Sequence, residues 1–367
     1  MSASSLQPDL QPEVSISARD ALLEYPEWKR LDVRSEGEFR QGEIPGFSNF
    51  PILTNTERHQ VGLTYRQQGQ DQAVRLGYDL VGPVKDSRVD QWVSEVRSAN
   101  ASGALVACWR GGMRSQIASQ WIRERGIEVL RVQGGTQALR RVLFASLEAP
   151  PELLVLGGMT GSGKTELLPE SQVPYVDLEA MAEHRGSSFG RYLGRIQPSQ
   201  QTFENRLGVA LLLNSVKNPG GQLLVEDEST YIGGVTVPGA FRKQMRNSQV
   251  VLLEVALDER AEWIRKLYVE APISSGVTEF ALKSHFSEAL LRIRSKLGGL
   301  RHDQIRRQIG EAKSADEHRD WIRSLLEEYY DPLYRYSLEK DARAIAFRGN
   351  RGEVRQWLKY QQEKTRS

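Results

Sequence analysis

The chain has 367 residues, 39% hydrophobic and 26% charged, with a formal net charge of +2 and a single cysteine. That length exceeds what one hydrophobic core usually organises, so two domains are expected. One cysteine excludes an intramolecular disulfide and a cysteine-rich zinc cluster; with no membrane-length apolar run and no signal-like start, a cytoplasmic monomer without a membrane partner is expected.

Residues 1–14, rich in Ser, Pro and Gln, read as disordered. From 15 to 147 short apolar runs (RLDVRS, GALVAC, IEVLRVQGG) alternate with helical patterns (DQWVSEVRSAN, SQIASQWIRERG), the mark of an α/β domain with a mostly parallel sheet. EAPPE at 148–152 reads as a linker. A second alternation then fills 151–367: strand candidates ELLVLGG, VPYVDLE, GQLLVEDES, QVVLLEVAL and AIAFRG, with helical stretches such as QTFENRLGVALLLNSV between them. From about residue 260 the pattern is mainly helical and charged. Residues 1–150 hold 18 basic and 18 acidic residues, whereas 260–367 hold 22 and 16, so the positive charge gathers at the C-terminal end. Such a region suits a polyanion, and equally a solvated helical surface.

In GALVACWRGGMRSQ, residues 103–116, Cys108 closes an apolar run and precedes a loop that curls into a helix. Helix-terminal N–H groups, Arg110 and Arg114 would stabilise negative charge there, the form in which a thiol attacks. Gly111 and Gly112 permit the curl; an inert buried cysteine is the plain alternative. Five residues separate Cys108 from Arg114, the spacing of cysteine phosphatases, whose loop wraps a tetrahedral phosphate; most single-cysteine sulfurtransferase loops have one fewer.

Immediately after ELLVLG comes GMTGSGKT, Gly158–Thr165, with P-loop spacing. Gly158, Gly161 and Gly163 would let backbone N–H groups, with those of Thr160 and Ser162, approach a diphosphate; Lys164 would reach the terminal phosphate and Thr165 would ligate Mg²⁺. A partner carboxylate is expected from QLLVEDES: Asp227 first, with Glu226 and Glu228 as competitors. Asp177 and Glu179 could face the phosphates, or serve as a helix cap. Pro169 shortens the following helix, which weakens the assumption that the ligand is ATP.

The first domain resembles rhodanese: DVRSEGEF at 32–39 and GEIPGFSNFP at 42–51 match that family's signatures, with Glu43 where histidine is commoner. The resemblance implies a loop cysteine that carries sulfur or selenium, and a structural role for Asp32 and Arg34. Rhodanese-fold cysteine phosphatases share the architecture. With the P-loop domain, VDLEAMAEHRGSSFG and YDPLY near residue 331, the chain from about 15 to 360 resembles the bacterial tRNA 2-selenouridine synthases. The fold implied is a rhodanese-like parallel-sheet domain followed by a P-loop NTPase-like α/β domain with a basic helical C-terminal part.

That resemblance implies two steps on the wobble 2-thiouridine of tRNAs for Lys, Glu and Gln. The sulfur is geranylated with geranyl diphosphate at the P-loop with Mg²⁺; selenophosphate, held by Arg110, Gly111, Gly112 and Arg114, then replaces the S-geranyl group through a Cys108 perselenide. A selenophosphate-supplying enzyme would be a partner. The tRNA anticodon arm would meet Arg292, Arg294, Lys296, Arg301, Arg306 and Arg307; Trp109 would stack on the base or the prenyl chain, or simply pack on the loop. Two alternatives stand beside this: a cysteine phosphatase, with Asp32 or Glu36 as general acid, fused to an ATP-dependent kinase, and a non-enzymatic anion sensor.

Overall fold

The computed structural model describes residues 14–341 and 343–366; the disorder expected for residues 1–14 falls, Val14 apart, outside them. The chain divides into two compact units. The first runs to Ser146 and includes Ser199–Val209; the second holds Leu147–Pro198 and the chain from Ala210 onward.

In the first unit, β1 (Ser15–Ile16), β2 (Lys29–Asp32), β3 (Phe47–Asn49), β4 (Ala104–Ala107) and β5 (Val129–Val132) form a parallel sheet in the order β1-β5-β4-β2-β3. The central β4, Ala-Leu-Val-Ala, is buried throughout, as a parallel strand covered on both faces must be. Its core joins Leu31, Val106, Trp92, Trp121 and Ile122. The helices Asn55–Gln68 and Gln70–Val81 were not among the sequence expectations.

Ser199–Val209 departs from the continuous 151–367 domain expected from the sequence. The Ser199 hydroxyl donates to the Gln41 carbonyl (2.8 Å), the Glu43 N–H donates to Thr202 Oγ1 (3.0 Å), and Asn205 Nδ2 donates to the Glu43 carbonyl (2.8 Å). These bonds satisfy backbone groups around 41–43 that no strand pairs, and Arg140 adds an ion pair to Glu204.

In the second unit, β6 (Leu153–Gly158), β7 (Tyr175–Val176), β8 (Leu223–Glu226), β11 (Val250–Leu253) and β12 (Ile345–Gly349) form a parallel sheet in the order β12-β11-β6-β8-β7. A small hairpin, β9 (Tyr231–Ile232) and β10 (Val235–Thr236), turns at Gly233 and Gly234. β6 and β11 are continuous buried apolar runs, as is β8 up to its last residue, and β6 and β8 are neighbours with Glu226 beside Leu156, so both strands end at the carboxyl edge. In open α/β sheets that edge is where ligands bind. A helical subdomain packs around Phe286, Trp321, Leu290 and Ile322. Among the described residues no helix is long and apolar enough to cross a membrane.

Candidate functional site

In the first unit β4 delivers Cys108 to the sheet's carboxyl edge. The residue is 3% exposed, while Trp109, Arg110, Gly112 and Met113 are exposed around it. Its thiol donates to Ser115 Oγ (3.2 Å), and the Ser115 hydroxyl donates to the Gly112 carbonyl (2.9 Å) at the start of the helix Met113–Arg123.

The loop is moulded against a second turn, Gly134–Gly135, which the sequence reading passed over. The Thr136 N–H donates to the Cys108 carbonyl (2.8 Å), and a Cβ on Gly135, at φ +58°, would lie 2.0 Å from that carbonyl oxygen. Gly111, at φ +66°, is equally confined by the backbone of 132–135. The signal that could have found this contact is the Gly-Gly pair directly after β5.

Arg114 and Arg110 differ sharply. Arg114 forms a bidentate pair with Glu38 (2.6 and 3.1 Å), and Arg58 approaches the same carboxylate (3.1 Å). Burial raises the Glu38 pKa, but the Arg114 hydrogen bond and charge, the Ser35 N–H and Arg58 outweigh it and leave the carboxyl at about 2. Arg114 is therefore held in place by an acid before any ligand arrives, whereas Arg110 stands exposed on the rim. Asp32 and Arg34 are buried and paired (2.7 Å), and Arg34 also donates to the Glu38 and Gly42 carbonyls (3.2 and 2.8 Å). They brace the segment that presents Glu38.

In the second unit Gly158, Gly161 and Gly163 all have positive φ, and Gly163 opens the helix Lys164–Glu170 that contains Pro169. Lys164 Nζ donates to the Gly158 carbonyl (2.9 Å). The Gly158 N–H donates to the Tyr334 hydroxyl (2.7 Å), and Arg260 donates to the Thr160 carbonyl (3.1 Å). Both partners come from chain about 100 or more residues away. The loop opens on a cavity of about 360 Å³, whose phosphate-type wall faces Trp263, Ile264, Tyr268, Tyr330 and Tyr334. Tyr268 and Tyr330 each stand on a wide π-type turn, Lys266–Glu270 and Leu326–Tyr330, a distortion that re-aims side chains at sites.

Beside the P-loop, Glu179, Glu226 and Glu228 can bring carboxylate oxygens within 4.8 Å of one another. The Thr165 hydroxyl lies 2.9 Å from Glu226 Oε2 and 3.1 Å from Glu179 Oε2. Burial and then mutual repulsion push the pKa of Glu179 and Glu228 up to about 8 and that of Glu226 well above its ordinary value, with Lys164 a partial counterweight for Glu179 and Glu228. Oxygen donors crowded beside a phosphate-type loop with too little positive charge are the donor set a hard divalent cation completes. Asp227, the sequence's first choice, is instead ion-paired to Arg343 (2.7 and 3.0 Å). Glu226, the last residue of β8, reaches Thr165, while Asp227 just beyond it lines the cavity with its carboxylate taken up by Arg343. Asp177 is the N-cap of the helix Leu178–Ala182, accepting from the Ala180 N–H (2.7 Å).

Of the basic candidates, Arg294, Lys296, Arg306 and Arg307 are exposed on the helices Glu279–Leu297 and Gly299–Glu311. Arg292 donates to the Ser188 carbonyl (2.8 Å) and Arg301 pairs with Glu328 (2.7 Å), so these two also serve local structure.

A family model described as the tRNA 2-selenouridine synthase AAA domain matches residues 151–365, the stretch that holds the P-loop, the carboxylates and the basic helices. Proteins named tRNA 2-selenouridine synthase from Shewanella loihica and Hahella chejuensis are each 41% identical, over 89% and 91% of this chain and 92% of their own length. One from Marinobacter nauticus is 40% identical over 90% of this chain and 93% of its own. The chain belongs to the tRNA 2-selenouridine synthase family. As a member it is an enzyme, and transferase chemistry fits both sites. Among solved structures, the N-terminal domain of a putative ATP/GTP binding protein from Clostridium difficile 630 matches 35% of this chain at 28% identity, with a TM-score of 0.31. Sequence reading missed Glu38, Gly134, Gly135 and Arg260 as supports of this family member's two loops, and Arg343 as the partner of Asp227. Asp331 and Tyr334 were visible only within YDPLY.

Proposed function

We propose that this enzyme converts the wobble 2-thiouridine of tRNAs for Lys, Glu and Gln to 2-selenouridine in two steps. The observation that carries the reading is the family match together with two chemically distinct loops, a P-loop beside an aromatic wall and a buried cysteine under an arginine rim. The first unit is read as rhodanese-like.

In the first step the thiocarbonyl sulfur attacks C1 of geranyl diphosphate, forming the S–C bond as the C–O bond breaks. The P-loop N–H groups and Lys164 hold the departing diphosphate, and Trp263, Ile264 and the neighbouring tyrosine rings offer apolar surface to the allylic chain. Thr165 and Glu226, with Glu179 and Glu228, would hold Mg²⁺, which supplies charge neutralisation of the diphosphate.

In the second step Arg110 binds selenophosphate oxygens, the N–H groups around Gly111 and Gly112 complete the cradle, and Arg114 joins once its hold on Glu38 loosens. Water attacks phosphorus, and selenide leaves with the P–Se bonding pair as phosphate forms. The Cys108 thiolate and selenide then join as S–Se while a small-molecule disulfide outside the chain accepts two electrons and becomes two thiols. The terminal selenium adds to C2 as the C2–S bond breaks and the prenylthiolate leaves, and thiols cleave S–Se and return the two electrons, so the cycle is electron-neutral. The exposed basic helices and the rim residue Trp109 would receive the anticodon arm.

The test combines purified protein, a 2-thiouridine anticodon stem-loop, geranyl diphosphate, selenophosphate and a small-molecule thiol–disulfide couple, read by nucleoside mass spectrometry. Wild type should yield 2-selenouridine, Lys164→Ala should stop before S-geranyl-2-thiouridine, and Cys108→Ser should accumulate it. Absence of both products with wild type overturns the reading; undiminished selenation by Cys108→Ser removes the covalent role.

A further inference from the structure

A cavity of about 610 Å³ in the first unit lies against the Cys108 loop. Most of its lining is apolar, Ile52, Leu53 and Ile117 together with Val61, Val74 and Val81 on the helices Asn55–Gln68 and Gln70–Val81, and Gln70 and two tyrosines add a few polar atoms. Among the described residues its charged wall positions are Arg110 and Arg114, both from the loop that carries the cysteine. The cavity thus has one cationic end, at the loop that carries Cys108, and a mainly apolar remainder. Its volume falls within the roughly 300–1,000 Å³ of small-molecule sites. Selenophosphate fits the arginine end but leaves the apolar stretch of the lining uncovered, and a nucleobase would place most of its polar edge against that stretch.

We propose that this cavity seats the prenyl chain of the S-prenylated wobble base while its sulfur is displaced, an assignment that rests on the two-step reading above. In that displacement a selenium nucleophile adds to C2 and the C2–S bond breaks. The bonding pair leaves with the prenylthiolate, which takes its proton from solvent. An apolar chain has no hydrogen bonds to satisfy, and its transfer from water is the driving force that aligns the head at the loop. The cavity would therefore distinguish a prenylated from an unprenylated sulfur, and selenation would follow prenylation by binding preference.

The experiment compares anticodon stem-loops carrying S-geranyl- or S-methyl-2-thiouridine. Fluorescence anisotropy should show wild type preferring the S-geranyl form by roughly 10-fold or more. Val74→Phe and Val61→Phe, which fill the cavity, should each bring that preference to within about 2-fold. Hydrogen exchange on the wild type should slow across residues 55–81 with the S-geranyl stem-loop and not with the S-methyl one, a readout that stands if either variant fails to fold. Equal affinities in wild type, an unchanged preference in a folded variant, or unchanged exchange at 55–81 overturns the assignment. Adding selenophosphate separates the two claims: a prenyl-dependent footprint at 55–81 without any 2-selenouridine sinks the two-step reading and leaves the cavity a prenyl site.

Discussion

Arg260 and Asp331 meet as a buried, doubly hydrogen-bonded ion pair (2.8 and 2.7 Å), and the same guanidinium holds the Thr160 carbonyl of the P-loop (3.1 Å). The pair ties the phosphate loop to the helix that supplies Tyr334, whose hydroxyl accepts the Gly158 N–H. The loop's shape thus depends on a residue more than 150 positions downstream.

Asp331→Ala leaves the guanidinium buried and unpaired, a defect worth about 3–5 kcal/mol. The expected result is a lower denaturant midpoint, read by circular dichroism, and weaker geranyl diphosphate binding, read by calorimetry. Unchanged stability and affinity would show that the pair does not support the loop.

The Glu38–Arg114 pair carries a pH signature. With the folded carboxyl held at about 2 against its ordinary 4.5, its stabilisation is complete above pH 4.5 and is lost as pH falls toward 2. Allowing for solvent screening of a partly exposed group, about 1–2 kcal/mol is at stake. In denaturant titrations at pH 7 and pH 3, the gap between wild type and Glu38→Gln should therefore narrow by about half at the lower pH. An equal gap at both pH values would refute the assignment.

Gly135→Ala puts a methyl group where only 2.0 Å separates it from the Cys108 carbonyl, at a φ of +58° that side chains resist. The loop must shift, at about 2 kcal/mol or more. Selenation of a pre-formed S-geranyl stem-loop should fall at least about 10-fold, since displacement of a nucleophile by an ångström has that order of effect. Normal selenation kinetics by mass spectrometry would mean the loop tolerates the change.

How far the sequence could be read follows from what each element buries. The strands β4, β6 and β11 are continuous apolar runs, as is β8 up to Glu226, and they stand out at once. β1 has two residues and β3 three, too few for any periodicity, and β3 is recognisable only through its pairing with β2. The helix Asn55–Gln68 contains no buried residue, so it lacks the apolar stripe that announces a helix, although Thr54 and Glu57 form a legible capping box. At the P-loop the spacing alone located every glycine. The choice among Glu226, Asp227 and Glu228 needed Arg343, 116 residues away, to show which carboxylate was already taken. Long-range partners of this kind, Glu38 for Arg114 and Tyr334 for Gly158 among them, leave no local pattern.

The exposed basic helices make a prediction about salt. Arg294 and Lys296 end one helix, and Arg306 and Arg307 sit on the next, all exposed, after a connection at Gly298 with φ +88°. If these side chains meet phosphates of the anticodon arm, each contact releases a counterion, and affinity falls with salt as a power law. Arg306→Ala and Arg307→Ala should each flatten the slope of log K against log salt by roughly 0.7 to 0.9 and weaken stem-loop binding alike for all three tRNA species. Arg301→Ala removes a pair with Glu328, so part of its effect should appear as lost stability, on the order of 0.5 kcal/mol. Filter binding between 50 and 200 mM salt, about the range over which such contacts dominate, supplies the slopes. Parallel slopes for wild type and both variants would place the RNA on another face.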